Sequence, residues 1–363
     1  MRLHIDAWDP SYGATYEVEA SEPGSSSSAP VNPEVERTTE TWQPLTPPPD
    51  VRAPATVLLV DGVRRIDARV WVEADDGESY QGICASYAAG VVRCDLRRGV
   101  AELAHTRVAH GVFAPGPKLA PVVAHPRAVF QPYRVTGGDP RQVEWELQRR
   151  LAELEIEVSD AARAEPAAPA GGTAGSAAGD SAGGTAGADA GEGGDDLLVA
   201  DGPLGDRRGL PRTVGYAKTH HMQYLPPELA RMVPALRPGQ RTPLFGMGGH
   251  SPRYSWYLRL PGAEGAPWAG VVRLECAAEQ PVSAATRLAD VSAVTLPRFA
   301  ATAYKDPRAP QNLVPIAGLE RRLRALLGDP RLLQRGLRTA TTRPTATRPT
   351  ATRPATTRPA ATA

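Results

Sequence analysis

Two stretches decide the fold: VLLVDG at 57–62 and LLVADG at 197–202, each a run of four apolar residues closed by Asp-Gly. A short continuous apolar run is what a strand buried on both faces of a sheet requires. An aspartate that ends such a strand stands at the carboxyl edge of the sheet, where open α/β sheets hold their ligands. On neighbouring central strands, Asp61 and Asp201 would therefore face one crevice. Close carboxylates repel, and one of them takes up a proton unless a cation lies between them. Mg²⁺ and Mn²⁺ favour hard oxygen ligands, and such ions can activate water against a phosphodiester. Asp-Gly is also a common tight-turn pair, so VDGVRR at 60–65 reads equally well as a hairpin.

Outward from these strands the periodicity changes. Residues 64–72 alternate, with Ile66, Ala68, Val70 and Val72 on one face, as in a half-buried antiparallel strand, and short strands continue to about residue 112. Asp139 and Pro140 are a cap and a first turn for a helix, whose apolar face is Val143, Leu147, Leu151, Leu154 and Val158. That helix carries Glu144, Glu146, Glu153, Glu155 and Glu157. Glu144 and Glu155 lie on or beside the apolar face and can approach the sheet as a third carboxylate, although each glutamate also reads as part of a solvated face. Further strands are expected at 213–218, 254–260 and 269–276, and helices near 284–302 and 312–327, the last with a stripe of Leu313, Ile316, Leu319, Leu323 and Leu326. Strands followed by alternating helix and strand predict an α/β fold with a mixed sheet flanked by helices.

Three segments lack core-forming composition. Residues 22–54 are rich in Ser and Pro and read as an irregular N-terminal arm within 1–54. Residues 163–195 are almost wholly Ala, Gly, Ser, Thr and Asp, which points to a disordered insertion inside a domain spanning 55–338. Residues 339–363 carry Thr-Arg-Pro four times, at Arg343, Arg348, Arg353 and Arg358, and proline in every unit excludes helix and sheet, so a disordered tail is expected. A solvated tail or weak contact with a phosphate backbone are both open.

The formal charge of +1 does not announce a nucleic-acid binder. Basic residues are nearly all arginine; the lysines are Lys118, Lys218 and Lys305. The three cysteines, Cys84, Cys94 and Cys276, form no CxxC pair, which argues against a disulfide framework and a structural zinc. The absence of an apolar leader or a long apolar span predicts a soluble cytoplasmic protein with no membrane role. GMGGH at 246–250 lacks the Lys-Ser/Thr of a P-loop. Tyr254, Trp256 and Tyr257 could stack on single-stranded bases or pack in the core.

VLLVDGVRR at 57–65, LLVADGPLGDRRGLPRTVGYAKTHHMQYLPPEL at 197–229, WAGVVRLECA at 268–277 and APQNLVPIAGLERRLRALLGD at 309–329 together resemble the NurA nuclease family. The resemblance implies an RNase H-like fold with a Mn²⁺ or Mg²⁺ site. It implies nuclease activity on DNA ends and single strands, and a homodimer working with a HerA-type hexameric ATPase in end resection and double-strand break repair. By motif, Asp61 and Asp201 correspond to the family's metal aspartates, Glu155 to its helix glutamate and Lys218 to the lysine after the DG-P-L strand. His220 and His221 follow Lys218 as further phosphate or metal candidates or as plain surface residues. Asn312 stands where the family has a histidine, and its amide oxygen can still serve a hard cation. Two other readings remain: a non-catalytic DNA-binding adaptor of the ATPase with a degenerate site, and an RNase H-like enzyme acting on RNA.

Overall fold

The computed structural model describes residues 25–26, 30–74, 77–116, 119–137, 139–165, 195–220, 222–249, 251–263, 265–304, 306 and 308–342. Among them, eleven strands form one mixed sheet. They are β1 (Val31–Asn32), β2 (Thr56–Glu73), β3 (Ser79–Asp95), β4 (Val100–Ala114), β5 (Val122–His125), β6 (Ala128–Arg134), β7 (Asp196–Asp201), β8 (Thr213–Ala217), β9 (Phe245–Met247), β10 (Arg253–Arg259) and β11 (Val271–Ala277). Their spatial order is β1-β9-β10-β11-β8-β7-β2-β3-β4-β6-β5. The longer helices are α1 (Pro140–Ala164), α2 (Val282–Thr295), α3 (Val314–Leu326) and α4 (Pro330–Thr342).

The two apolar runs are central and adjacent. β2 and β7 pair in parallel, with Val57 opposite Leu197 and Val60 opposite Ala200. β2 pairs antiparallel with β3 on its other side, and β7 pairs in parallel with β8. Both faces of these strands are covered, which explains the continuous hydrophobicity. Leu58, Val60, Leu198 and Ala200 pack with Leu147, Leu151 and Val158 of α1. Val57, Leu59, Leu197 and Val199 pack with Ala289 of α2 and with Ile316, Leu319 and Leu323 of α3. Each fully buried leucine in these layers contributes about 1.5–3 kcal/mol. α1 begins as its sequence predicts, since Asp139 accepts a hydrogen bond from the Arg141 amide (2.9 Å) and Pro140 opens the first turn.

Several expectations change. The strand at 57–60 does not end at Asp61-Gly62 but runs through to Glu73, so the hairpin reading is excluded and 64–72 is the same strand. The expected face of Ile66, Ala68, Val70 and Val72 is broken at its first residue. The β2/β3 ladder is irregular between Ile66 and Ala68, which turns Asp67 inward and leaves Ile66 41% exposed, while Ala68 and Val70 pack near Leu333 and Leu337 of α4. The helix expected at 284–302 ends at Thr295 and passes into a 3-10 turn, Leu296–Phe299, at Pro297. α4 overruns the boundary expected at 339 and reaches Thr342, because Leu333 and Leu337 are buried one turn apart. The insertion expected at 163–195 begins later, because Arg163 and Ala164 are the last turn of α1; its residues 166–194 and the tail from 343 lie outside the described residues. Among the described residues, no helix is long and apolar enough to cross a membrane.

The arm, from residue 30, lies against the body. Glu36 makes a two-pronged ion pair with Arg241 (2.8 and 2.9 Å) and accepts from the Leu244 amide (2.8 Å). The same guanidinium donates to Asp290 of α2 (2.7 Å) and is 1% exposed. Burial acts to raise the Glu36 pKa, but Arg241 outweighs it and the carboxyl is held below its ordinary value. Glu36→Ala would leave Arg241 short of a partner inside the protein, a loss of about 3–5 kcal/mol for a buried pair, at the lower end here because Glu36 is partly accessible. The expected result is a clear drop in the denaturant midpoint at neutral pH. The gap to the parent should narrow on acidification, as the pH falls below the ordinary glutamate range and through the lowered pKa.

Candidate functional site

Strand alternation puts Asp61 on the same face of β2 as Val57, Leu59 and Val63, and Asp201 on the same face of β7 as Leu197 and Val199. The two carboxylates follow directly after the paired residues Val60 and Ala200, so they stand side by side, facing α3. The two Asp-Gly pairs reach this arrangement differently. Gly202 has φ +95, a left-handed backbone that turns the chain out of β7. Gly62 is inline in β2; a Cβ there would strike Glu155 Oε1 and lie 2.8 Å from Leu151 Cδ1. Its glycine serves the close approach of α1 and not a turn.

Lys218 follows β8, on the face of Val214 and Tyr216. Its ammonium donates to Asp201 Oδ2 (2.6 Å) and to Asn312 Oδ1 (3.2 Å). Asn312 is fully buried just before α3, and its amide donates to Asp306 Oδ2 (2.5 Å). The Asn312 oxygen thus accepts from Lys218 and positions the lysine beside Asp201. The other Asp201 oxygen, Oδ1, is buried with no hydrogen-bond partner among the described residues. The Asp61 carboxyl accepts from the Gly62 amide (2.8 Å), yet burial and then Asp201 push its pKa up to about 7 against the opposing pull of Lys218, with Glu320 of α3 adding to the rise.

Glu155 is 4% exposed and arrives from the other face of the sheet, over Gly62. It forms an ion pair with Arg207, from the 3-10 turn Gly205–Gly209 after β7. Burial lowers the Arg207 pKa to about 10, with Asp61 and Glu275 resisting. Glu155 therefore lines the same cleft as Asp61 and Asp201, about 540 Å³ in volume, but is engaged by a guanidinium. Among the described residues, no group of three His, Cys, Asp or Glu side chains is gathered closely enough to hold a metal. The remaining helix glutamates pair locally: Glu144 with Arg64 (3.9 Å), Glu157 with Arg107 (3.2 Å), and Glu146 and Glu153 with Arg149 and Arg150.

Comparison with protein families and with curated proteins gives no match. The site therefore speaks through its own geometry. Two adjacent carboxylates, one with a strongly raised pKa and one with an unsatisfied buried oxygen, fit a hard divalent cation, which would remove both penalties at once. Asp61 and Asp201 are the residues that could hold it, with Glu155 added only on leaving Arg207.

Other candidates resolve elsewhere. His220 lies 2.8 Å from the Val271 carbonyl and among the rings of Tyr257 and Trp268. His221 lies outside the described residues. Trp256 and Tyr257 are buried, so that cluster packs in the core. The three cysteines are buried and burial pushes each thiol up to about 12, which removes them as nucleophiles. Sequence reasoning missed Trp145, 58% exposed on the cleft wall, and Arg207. A tryptophan on the polar side of α1 was the available signal for the first; nothing local marks Arg207 as the partner of a residue on α1.

The Asp61 shift sets a pH dependence in the metal-free protein. In the unfolded chain the group titrates near its ordinary value of 3.8, while the folded protein keeps the proton to about 7. Over that window the folded state binds the extra proton, so stability falls as pH rises through it and stays low above it. Asp61→Asn is expected to melt several degrees above the metal-free parent at pH 8, at about 2–4 °C per kcal/mol, and level with it below pH ~3.5. Equal melting temperatures at pH 8 would contradict the buried acid pair.

Proposed function

We propose that this chain is a metal-dependent nuclease acting on DNA, built on an RNase H-like core. The observation that carries the reading is the parallel register that sets Asp61 beside Asp201 in the lining of one cleft. The antiparallel run β2-β3-β4, the crossover helix α1 and the parallel pair β7-β8 next to β2 support the fold assignment. The likeness to the NurA family in the motifs around both aspartates supports the substrate: DNA ends and single strands, in a homodimer with a HerA-type hexameric translocase.

In this reading Asp61 and Asp201 hold Mn²⁺ or Mg²⁺, which when bound activates water and stabilises the leaving oxygen of the phosphodiester. Lys218 has three N–H donors, of which one meets Asp201 and one meets Asn312. The third is available to a phosphate oxygen, and Asn312, itself held by Asp306, keeps the ammonium aimed. Trp145 offers an exposed ring on the cleft wall for an unstacked base. Gly62 keeps the floor between the two faces thin enough for Glu155 to reach it.

A second reading, a non-catalytic adaptor of the ATPase, is favoured by the engagement of Glu155 with Arg207 and by Lys218 already sitting on Asp201. One set of measurements separates them. Mn²⁺ titrated against the parent should raise its melting temperature and support cleavage of single-stranded DNA. Asp61→Ala should lose both, with cleavage falling at least about 100-fold, since such an ion supplies several kcal/mol to the transition state, and with an unchanged circular dichroism spectrum. Full activity in that variant sinks the site. A parent that neither binds Mn²⁺ nor cuts at any concentration supports the adaptor, and faster cleavage of a matched RNA would move the substrate class.

A further inference from the structure

Beside the acidic cleft lies a second cavity, about 230 Å³, whose lining is basic. The two share Pro203 and Gly205, so the turn after β7 is the wall between them. Two consecutive arginines of that turn part company across it. Arg207 goes to Glu155 in the acidic cleft, and Arg208 lines the second cavity.

The rest of that lining comes from two strands. Arg273 and Glu275 alternate with the core residues Val272, Leu274 and Cys276 of β11, and so face away from α2 and α3. Arg253 comes from the neighbouring strand β10. Glu275 is completely used: Oε1 accepts from the Leu204 amide (2.6 Å), and Oε2 meets both Arg273 and the Arg253 Nε (3.0 Å). Arg273 is further held with its guanidinium 4.7 Å from the Tyr224 ring centroid. Arg208 is only partly buried and makes no hydrogen bond or ion pair with a described residue. Among the described lining residues, three guanidinium groups thus face a single carboxylate. One carboxylate balances one of the three guanidinium charges. The surplus charge, gathered in a concave site of this size, answers to an anion. The planar fork of a guanidinium donates two parallel N–H bonds to a pair of phosphate oxygens.

We propose that this cavity is a phosphate-binding pocket, lined by Arg208, Arg253 and Arg273, that seats a phosphate of the strand whose neighbouring phosphodiester lies at Asp61 and Asp201. The phosphate chemistry follows from the pocket; its source in DNA rests on the nuclease reading. The same chemistry is offered by an internal phosphodiester and by a terminal phosphate of a DNA end.

The test uses the full chain and Arg208→Gln, which removes a partly accessible side chain and spares the Glu275 cluster. Titration calorimetry with inorganic phosphate, and anisotropy with single-stranded oligonucleotides carrying a 5′-phosphate or a 5′-hydroxyl, read the pocket directly. The variant should bind phosphate about tenfold more weakly, the scale of one lost charge-assisted contact. Its melting temperature and its response to Mn²⁺ should match the parent. A penalty confined to the 5′-phosphorylated strand identifies the terminal group, and an equal penalty on both strands identifies an internal phosphodiester. Unchanged phosphate and oligonucleotide affinity in the variant overturns the pocket. A parent that cuts nothing but still binds phosphate through Arg208 overturns the nuclease reading alone.

Discussion

The parallel pairing of β2 with β7 is the constraint on which the rest of the molecule depends. Its register sets Val60 opposite Ala200 and therefore one aspartate beside the other. Side chains alternate along a strand, so a slip of one residue in β7 would turn Asp201 toward α1 and send Leu197 and Val199 to the wrong layer. The hydrophobic layers on both faces make that slip expensive. The apolar residues before each aspartate thus fix the position of the charges after them, and hold two acids closer than the acids themselves would settle.

Away from the cleft, Arg241 has both Glu36 and Asp290 as partners, and Arg163 and Arg212 share Asp196. At the cleft the accounts stay open. Asp201 keeps one oxygen without a partner and Asp61 holds its proton far above the ordinary carboxyl range. Perturbed groups of this kind gather where function is performed, because the interactions that would quiet them are reserved for a ligand. The raised pKa of Asp61 beside the open oxygen of Asp201 marks the acid pair.

Much of the fold was legible because burial writes itself into composition. The runs at 57–60 and 197–200 announced central strands, Asp139-Pro140 announced the start of α1, and Lys218, rare in an arginine-rich chain, does stand at Asp201. Glu155 was legible as a residue turned toward the sheet, but its engagement was not. Arg207 is 52 positions away in number and meets Glu155 only after the chain has crossed the sheet. The continuation of β2 past Asp61 was hidden for another reason. Asp-Gly has the same spelling in a turn and in a strand, and only the helix pressing on Gly62 decides between them. The irregularity at Ile66 left no mark in an apolar alternation that reads correctly from Ala68 onward.

The two aspartates differ in how firmly the backbone grips them. Asp61 sits within an eighteen-residue strand, paired with Gly90 on one side and continued in both directions. Asp201 is the last residue of its strand, followed at once by a glycine with a left-handed backbone. One acid is a fixed post and the other stands beside a joint. On the proposed reading of the acid pair as a cation site, such a site adapts its bite from one side only, and ions of different radius would be met by movement of the Asp201 turn while the β2 ladder stays still.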